Sequence, residues 1–301
     1  MVLQTIYLTR HGFRANWSGE DPKLHSSGLL PPDTPLSEHG ESQAGQLGVF
    51  LEDVEPQIDV IYSSPFYRCV QTVEPAAERI SSRRGKDMEI RPEPGVGEWY
   101  GADRENDPKP APPHVLKSFF PMIDAEYQSI WTPDAHGERI EELHNRAAYV
   151  LARMIKQLDE DPSAPTSVLI CTHAATFVAI CRVLTGSRPS TPDEADFIPW
   201  TCGITKFKRR IESSTEAPTD PGVSGQLPHI RWDDGGVSGG WECTLNGFCG
   251  FLLRGRERGW RFSGKETFSH DVQAHGLDSG TGLGVIIDGD SPDAARDTGD
   301  I

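Results

Sequence analysis

The chain alternates short, strand-like apolar runs with longer amphipathic ones. Leu3 to Thr9 is rich in β-branched residues and ends at a polar turn, which predicts a strand. From Ser37 to Val54, Ala44, Leu47, Leu51 and Val54 recur at helical spacing, with Ser37 placed to cap the start. Asp59 to Tyr62 predicts a second strand. Ser64-Pro65 then opens a helix with Pro65 at its first position and an inner face of Cys69, Val70, Val73, Ala77 and Ile80. A third strand is expected at Met88 to Arg91. Glu138 to Leu158 carries the most regular helical stripe, Ile140, Leu143, Ala147, Leu151, Met154 and Leu158. Ser167 to Cys171 is a continuous apolar run, as in a strand covered on both faces, and Thr176 to Leu184 is an apolar helix ended by Gly186. Strands alternating with helices predict a doubly wound α/β fold, a mainly parallel sheet with helices on both faces.

Residues 101–136 are proline-rich and without period, long for a connection inside a domain, and are read as a lid or specificity loop. After Thr201 the pattern changes to strand-like pieces at Gly203 to Ile211, His229 to Trp232 and Glu242 to Phe248, either C-terminal edge strands on the main sheet or a small appended unit. One domain over 1–268 is expected, with 201–268 supplying the additional strands. The Gly- and Asp-rich residues 269–301, with one apolar island at Val285 to Ile287, read as a disordered tail.

Forty-five acidic against 29 basic residues give a net charge of −16, which disfavours direct binding to nucleic acid or anionic membrane. An anionic substrate would therefore need a local cluster of cations. Six cysteines without a C-x-x-C pair predict buried free thiols in a reducing compartment and no zinc site. No signal peptide or membrane span is apparent, so a cytoplasmic or nuclear location is expected. His25, His39, His114 and His136 read as loop or surface residues. Trp99, Trp131 and Trp200 read as packing residues, and the alternating run Lys206 to Arg210 as a half-exposed edge strand.

Ligands of open α/β sheets bind at the carboxyl ends of the strands, where the sequence puts distinctive polar residues. Arg10-His11 follows the first strand, Arg68 sits a helical turn after the second, Glu98 follows the third, and His173 follows the strand ending at Cys171. That set suits phosphoryl transfer through a covalent intermediate. Guanidinium groups of Arg10 and Arg68 bind phosphoryl oxygens in a fork. A neutral imidazole attacks phosphorus, a carboxylic acid at Glu98 protonates the leaving oxygen, and His173 at a helix start donates to the phosphoryl group.

Thr9-Arg10-His11-Gly12, Ser63-Ser64-Pro65 through Arg68 to Thr72, Gly97-Glu98-Trp99 and Thr172-His173-Ala174 together resemble the four signature segments of the histidine phosphatase, or phosphoglycerate-mutase-like, superfamily. Asp33 to Ser37 followed by Gly40 resembles its helix entry. Within it, the chain looks most like the fungal branch that includes the tau subunit of the RNA polymerase III factor, and like the Sts/TULA-type phosphatases. The resemblance implies that His11 is the nucleophile, that Arg10, Arg68 and His173 form the phosphate pocket, and that Glu98 is the proton donor, with no metal or cofactor. Three departures stand out. Arg14 occupies the place of an extra arginine in Sts-type members and becomes a third candidate phosphate ligand. Asn16 lies one residue short of the usual asparagine, and the mutases' Glu-Arg-His-Tyr-Gly segment is absent. A phosphatase acting on a phosphorylated small molecule or a phosphoprotein is the first expectation. A scaffold subunit with a protein-complex partner and a phosphoglycerate-type mutase are the alternatives.

Overall fold

The computed structural model describes residues 3–18, 33–102, 108–133, 137–210, 227–233 and 235–262, and the backbone of 285–286. Strands β1 (Thr5–Arg10), β2 (Val60–Ser63), β3 (Ile90–Pro92) and β4 (Ser167–Thr172) run parallel in the order β3-β2-β4-β1. β5 (Ile204–Arg209) continues the sheet antiparallel to β1, and β6 (Trp241–Phe248) antiparallel to β5. The sheet is thus mainly parallel, with the predicted extra strands added to it rather than folded apart.

Both faces are covered, which explains the unbroken apolar runs. On one face, Ile6 and Leu8 of β1 and Val168 and Ile170 of β4 pack under helices α5 (Ile140–Glu160) and α6 (Ala174–Thr185). On the other, Tyr7, Leu169 and Cys171 pack under α2 (Glu38–Glu52) and α3 (Tyr67–Arg84). Two short helices, α1 (Ala15–Ser18) and α4 (Pro113–Leu116), complete the helices, and Leu116 joins the core under α2 and α3.

Three expectations need correction. Pro65 is not the first residue of α3: the helix starts at Tyr67 with extended Phe66 as its cap, because Ser64 N–H is still bonded to Cys171 of β4 and holds the chain extended. His229 to Trp232 forms no strand; Ile230 N–H bonds instead to the Asn145 side chain of α5 at 2.8 Å. Lys206 to Arg210 is not an edge, since β5 lies between β1 and β6. Its Phe207 is fully buried, and Arg209 is neutralised by Asp159 at 2.8 and 2.9 Å, so the charges do not stop β6 from pairing. Within the 101–136 segment, Leu116, Phe120 and Ile123 enter the core, and Ile123 bridges Ile90 of β3. His25, His136 and nearly all of the 269–301 tail lie outside the described residues; Val285–Ile286 pairs antiparallel with Gly259–Trp260.

Five of the six cysteines are buried free thiols and Cys243 is half-buried. No helix among the described residues is long and apolar enough to cross a membrane.

The loop after β1 is set by how closely α2 approaches it. Phe13 carbonyl accepts from Ser37 N–H at 2.9 Å, and Ser37 caps α2 by accepting from Gly40 N–H at 3.1 Å. A Cβ on Gly40 would stand 2.1 Å from the Phe13 carbonyl oxygen. Alanine is ordinarily better than glycine in a helix by about 1 kcal/mol. Gly40→Ala is nevertheless expected to destabilise the protein in urea unfolding, and a stability equal to or above wild type would show that the loop yields freely.

Candidate active site

Each carboxyl end of the parallel strands delivers one group to the same point. At the end of β1, His11 N–H still bonds Thr172 carbonyl of β4 at 3.0 Å, Gly12 N–H bonds Thr72 Oγ1 at 3.0 Å, and Phe13 N–H bonds Gln43 Oε1 at 2.9 Å. Every amide of the tripeptide's turn is therefore tied to a different element, which fixes the imidazole. His11 Nδ1 lies 2.8 Å from its neighbour's carbonyl, that of Gly12. A carbonyl only accepts, so Nδ1 carries the proton and the lone pair is on Nε2. Burial, then the charges of Arg68, Arg10, His173 and Arg14, lower the His11 pKa well below the ordinary histidine value. The ring is neutral at physiological pH, as a nucleophile requires.

Arg68 enters from the first turn of α3. Asp33 supplies the cap that Phe66 cannot, accepting from Tyr67 N–H at 2.6 Å, and its other oxygen lies 3.3 Å from Arg68 Nη1. Burial raises the Asp33 pKa to about 6 against the pull of Arg68. Burial works against the Arg68 charge, but Glu98 and then Asp33 outweigh it and raise its pKa.

Glu98 comes from the loop after β3. Two acidic residues in that loop, Glu93 and Glu98, are indistinguishable by composition, and the structure separates them. Glu93 is fully buried and accepts from Gly95 N–H, Tyr127 OH and Ile130 N–H, each at 2.7 Å, so it is a structural carboxylate. The loop is further tied by Thr172 Oγ1 to Val96 carbonyl at 2.6 Å, Thr176 Oγ1 to Gly97 carbonyl at 2.7 Å and Arg146 Nη1 to Gly95 carbonyl at 2.7 Å. This aims Glu98 at the site, where Oε2 is 2.9 Å from Arg68 Nη2 and 3.0 Å from His173 Nδ1.

His173 caps α6, and its ring stands edge-on to His11 with centroids 5.4 Å apart. Its Nε2 is 2.7 Å from Ser64 Oγ, so both ring nitrogens are engaged. Burial lowers its pKa, while the Cys69 sulfur and the Glu98 carboxylate beside it raise it by more. Burial likewise pushes Glu98 up, yet His173 and Arg68 hold it well below the usual carboxylate range. Glu98 is thus held as a carboxylate between Arg68 and His173. A cavity of about 290 Å³ adjoins it, lined by Phe66, Tyr100 and several prolines.

Arg10 and Arg14 are both buried and both lie against the Trp17 ring, each with its guanidinium carbon 5.3 Å from the ring centroid; Trp17 is 5.9 Å from His11. Arg10 Nη1 also donates to Pro199 carbonyl at 3.0 Å. Asn16, on α1, is exposed. His39 Nε2 lies 2.6 Å from Glu257 Oε2, and His114 is exposed on α4. Trp99 and Trp200 are buried, and half-buried Trp131 packs edge-on against Tyr149.

Ligand atoms of His11, Glu98 and His173 lie within 4.8 Å of one another, close enough to hold a metal. The surroundings fit an anion better: three guanidinium groups and a histidine of raised pKa converge there, and a divalent cation would meet their repulsion. Sequence reasoning missed Ser64, Asp33, Thr72 and Trp17. Ser64, Asp33 and Thr72 fall inside the motif segments, but only their contacts reveal a role.

The histidine phosphatase superfamily (branch 1) model matches residues 6–214. The 55 kDa subunit of transcription factor tau of Saccharomyces cerevisiae is 34% identical over 87% of this chain and 59% of its own length. The ecdysteroid-phosphate phosphatase of Drosophila melanogaster is 29% identical over 54% of this chain and 21% of its own. The mouse ubiquitin-associated and SH3 domain-containing protein B is 28% identical over 71% of this chain and 33% of its own. The chain therefore spans less than two thirds of each of these curated relatives. The ecdysone phosphate phosphatase of Bombyx mori, solved in complex with tungstate, shares the fold at a TM-score of 0.53 and 19% identity, over 72% of this chain and 98% of that one. With its signature groups assembled at the ends of β1, β2 and β4, this chain belongs to the histidine phosphatase superfamily.

Proposed function

We propose that the chain is a metal-independent phosphomonoesterase working through a phosphohistidine at His11. The observation that carries this reading is the pairing of a neutral His11, its lone pair fixed on Nε2, with the converging cations Arg10, Arg14, Arg68 and His173. Arg10, Arg68 and His173 bind the phosphoryl oxygens, with Arg14 as a further ligand; exposed Asn16 is assigned no step. His11 Nε2 attacks phosphorus, the ester P–O bond breaks, and the leaving oxygen takes a proton. Water then attacks phosphorus, its proton is taken up by Glu98, and the P–N bond breaks to release phosphate and restore His11.

The source of the first proton follows from the electrostatics. Glu98 and His173 share one proton across their 3.0 Å contact, and such a pair titrates as a unit. A phosphate dianion drawn to Arg68 and His173 takes over their pairing with Glu98 and adds two negative charges beside it. Both effects raise the Glu98 pKa, so substrate binding itself loads the acid. The cavity beside Glu98 gives room to the leaving group.

A second reading is favoured by the tau-subunit relative, whose similarity covers 87% of this chain: a subunit of a transcription-factor-type complex, in the nucleus, with the fold as scaffold. The two readings are compatible. Under this one, the protein isolated from its native source elutes in a stoichiometric assembly, and elution alone at physiological salt counts against it. A mutase would turn over phosphoglycerates without net release of phosphate, which direct assay separates.

Aryl phosphate hydrolysis is expected in EDTA, with inhibition by vanadate and a loss of about 10³-fold or more in His11→Ala; full activity in that variant would overturn the reading. Nitrogen-15 NMR of the free protein is expected to find His11 neutral, in the Nδ1–H form, at pH 6.5 and below. Its folded pKa is depressed, so the nucleophile persists under acid and is lost only as pH falls far below 6.5. A His11 midpoint at or above 6.5 would contradict the burial and cation effects described for it.

A further inference from the structure

We infer that Arg258 is an additional anion-binding residue of this site and takes a second anionic group, a carboxylate or phosphate, carried by the phosphorylated ligand. This rests on the reading of the His11 pocket as a phosphate site. The guanidinium carbon of Arg258 is 4.9 Å from the Trp17 ring centroid and 5.4 Å from that of Phe13. Trp17 is the ring that Arg10 and Arg14 also approach and that stands beside His11. Three guanidinium groups around one indole lie within roughly one Debye length of each other, about 10 Å at 0.1 M salt, and repel. The indole face attracts each of them. In a chain of net charge −16, such a cluster is the local exception that an anionic ligand needs.

The backbone argues that this placement is held deliberately. Arg258 has φ 53°, the left-handed region that a non-glycine residue occupies only when its surroundings enforce it. They do so on both sides. Glu257 carbonyl accepts from Thr201 N–H at 3.1 Å, the Glu257 carboxylate is engaged by Gln43 Nε2 and His39 Nε2 at 2.6 Å each, and Arg258 carbonyl accepts from Arg10 Nη1. The Glu257 carboxylate, next in sequence, is already bonded by Gln43 and His39 of α2. The segment after β6 thus does two things. The Arg258 carbonyl positions Arg10, and the Arg258 side chain brings a further guanidinium to the same Trp17 ring. An uncharged ester tail gains nothing there; a tail bearing its own carboxylate or phosphate does.

Binding of non-hydrolysable analogues tests this without turnover. Calorimetry compares propylphosphonate with its isostere 3-phosphonopropionate, whose tail ends in a carboxylate, and with methylenediphosphonate for shorter reach. Wild type is expected to bind at least one doubly anionic analogue tenfold or more tighter than propylphosphonate. Arg258→Gln removes that advantage, Arg258→Lys restores part of it, and Arg256→Gln, at an exposed neighbour, leaves it intact. If Arg258→Gln weakens all three ligands equally, Arg258 acts only by holding Arg10 and the inference fails. It fails also if wild type shows no preference. If propylphosphonate itself does not bind, the phosphate-site reading falls first.

Discussion

Taking the Arg68 guanidinium out of water costs several kcal/mol, which only well-placed negative partners can offset. Arg68 is 3% exposed, and its partners Asp33 and Glu98 come from opposite sides in sequence, one before α2 and one after β3. The chemistry of the site and the packing of the helix are joined here. The Asp33 carboxylate that holds Arg68 is also the cap of α3, and the Thr72 hydroxyl that accepts from Gly12 N–H donates back to Arg68 carbonyl at 2.7 Å. Shifting Arg68 would therefore move the nucleophile's loop, the start of α3 and the Glu98 carboxylate together. The strand ends bring the groups near one another; this network gives them a single arrangement.

The same network fixes protonation. A guanidinium and a histidine of raised pKa both point at Glu98 Oε2, and their nitrogens stand 3.0 Å apart, close for two donors. That crowding is relieved when a tetrahedral oxyanion provides each donor with its own acceptor. Under the proposed chemistry, an incoming phosphate would compete with Glu98 for the same two donors, Arg68 and His173.

The strand ends were legible because both faces of the sheet are buried: apolar runs such as Ser167 to Cys171 stop abruptly at Thr172-His173, and chemistry at such a break stands out. His11, Arg68, Glu98 and His173 all lie at breaks of this kind. Register and capping were less legible. Nothing in Ser64-Pro65-Phe66 announces that Asp33, more than 30 residues earlier, caps the helix; proline at the first position is the better local guess. Lys206 to Arg210 misled for a similar reason, because Asp159, which neutralises Arg209, is remote in sequence. Arg258 was invisible altogether. It lies in an irregular stretch whose shape comes from Thr201, Gln43, His39 and Arg10, so no window around it carries the signal.

A scaffold and an enzyme built on this fold would be under different pressures. Replacing a buried ion pair by well-packed apolar residues of similar volume is often neutral or stabilising, so a subunit that serves only as a surface has no energetic reason to keep Arg68, Glu98, Asp33 and His173 buried together. Nor does fold specificity explain the depressed His11 pKa, since a buried neutral imidazole could be a leucine without disturbing any charge. The features that cost stability, including left-handed Arg258, coincide with those that would bind and transfer a phosphoryl group. Assembly into a larger complex does not by itself account for that cost. The physical content of the site therefore argues for anion chemistry whether or not the chain also has a partner.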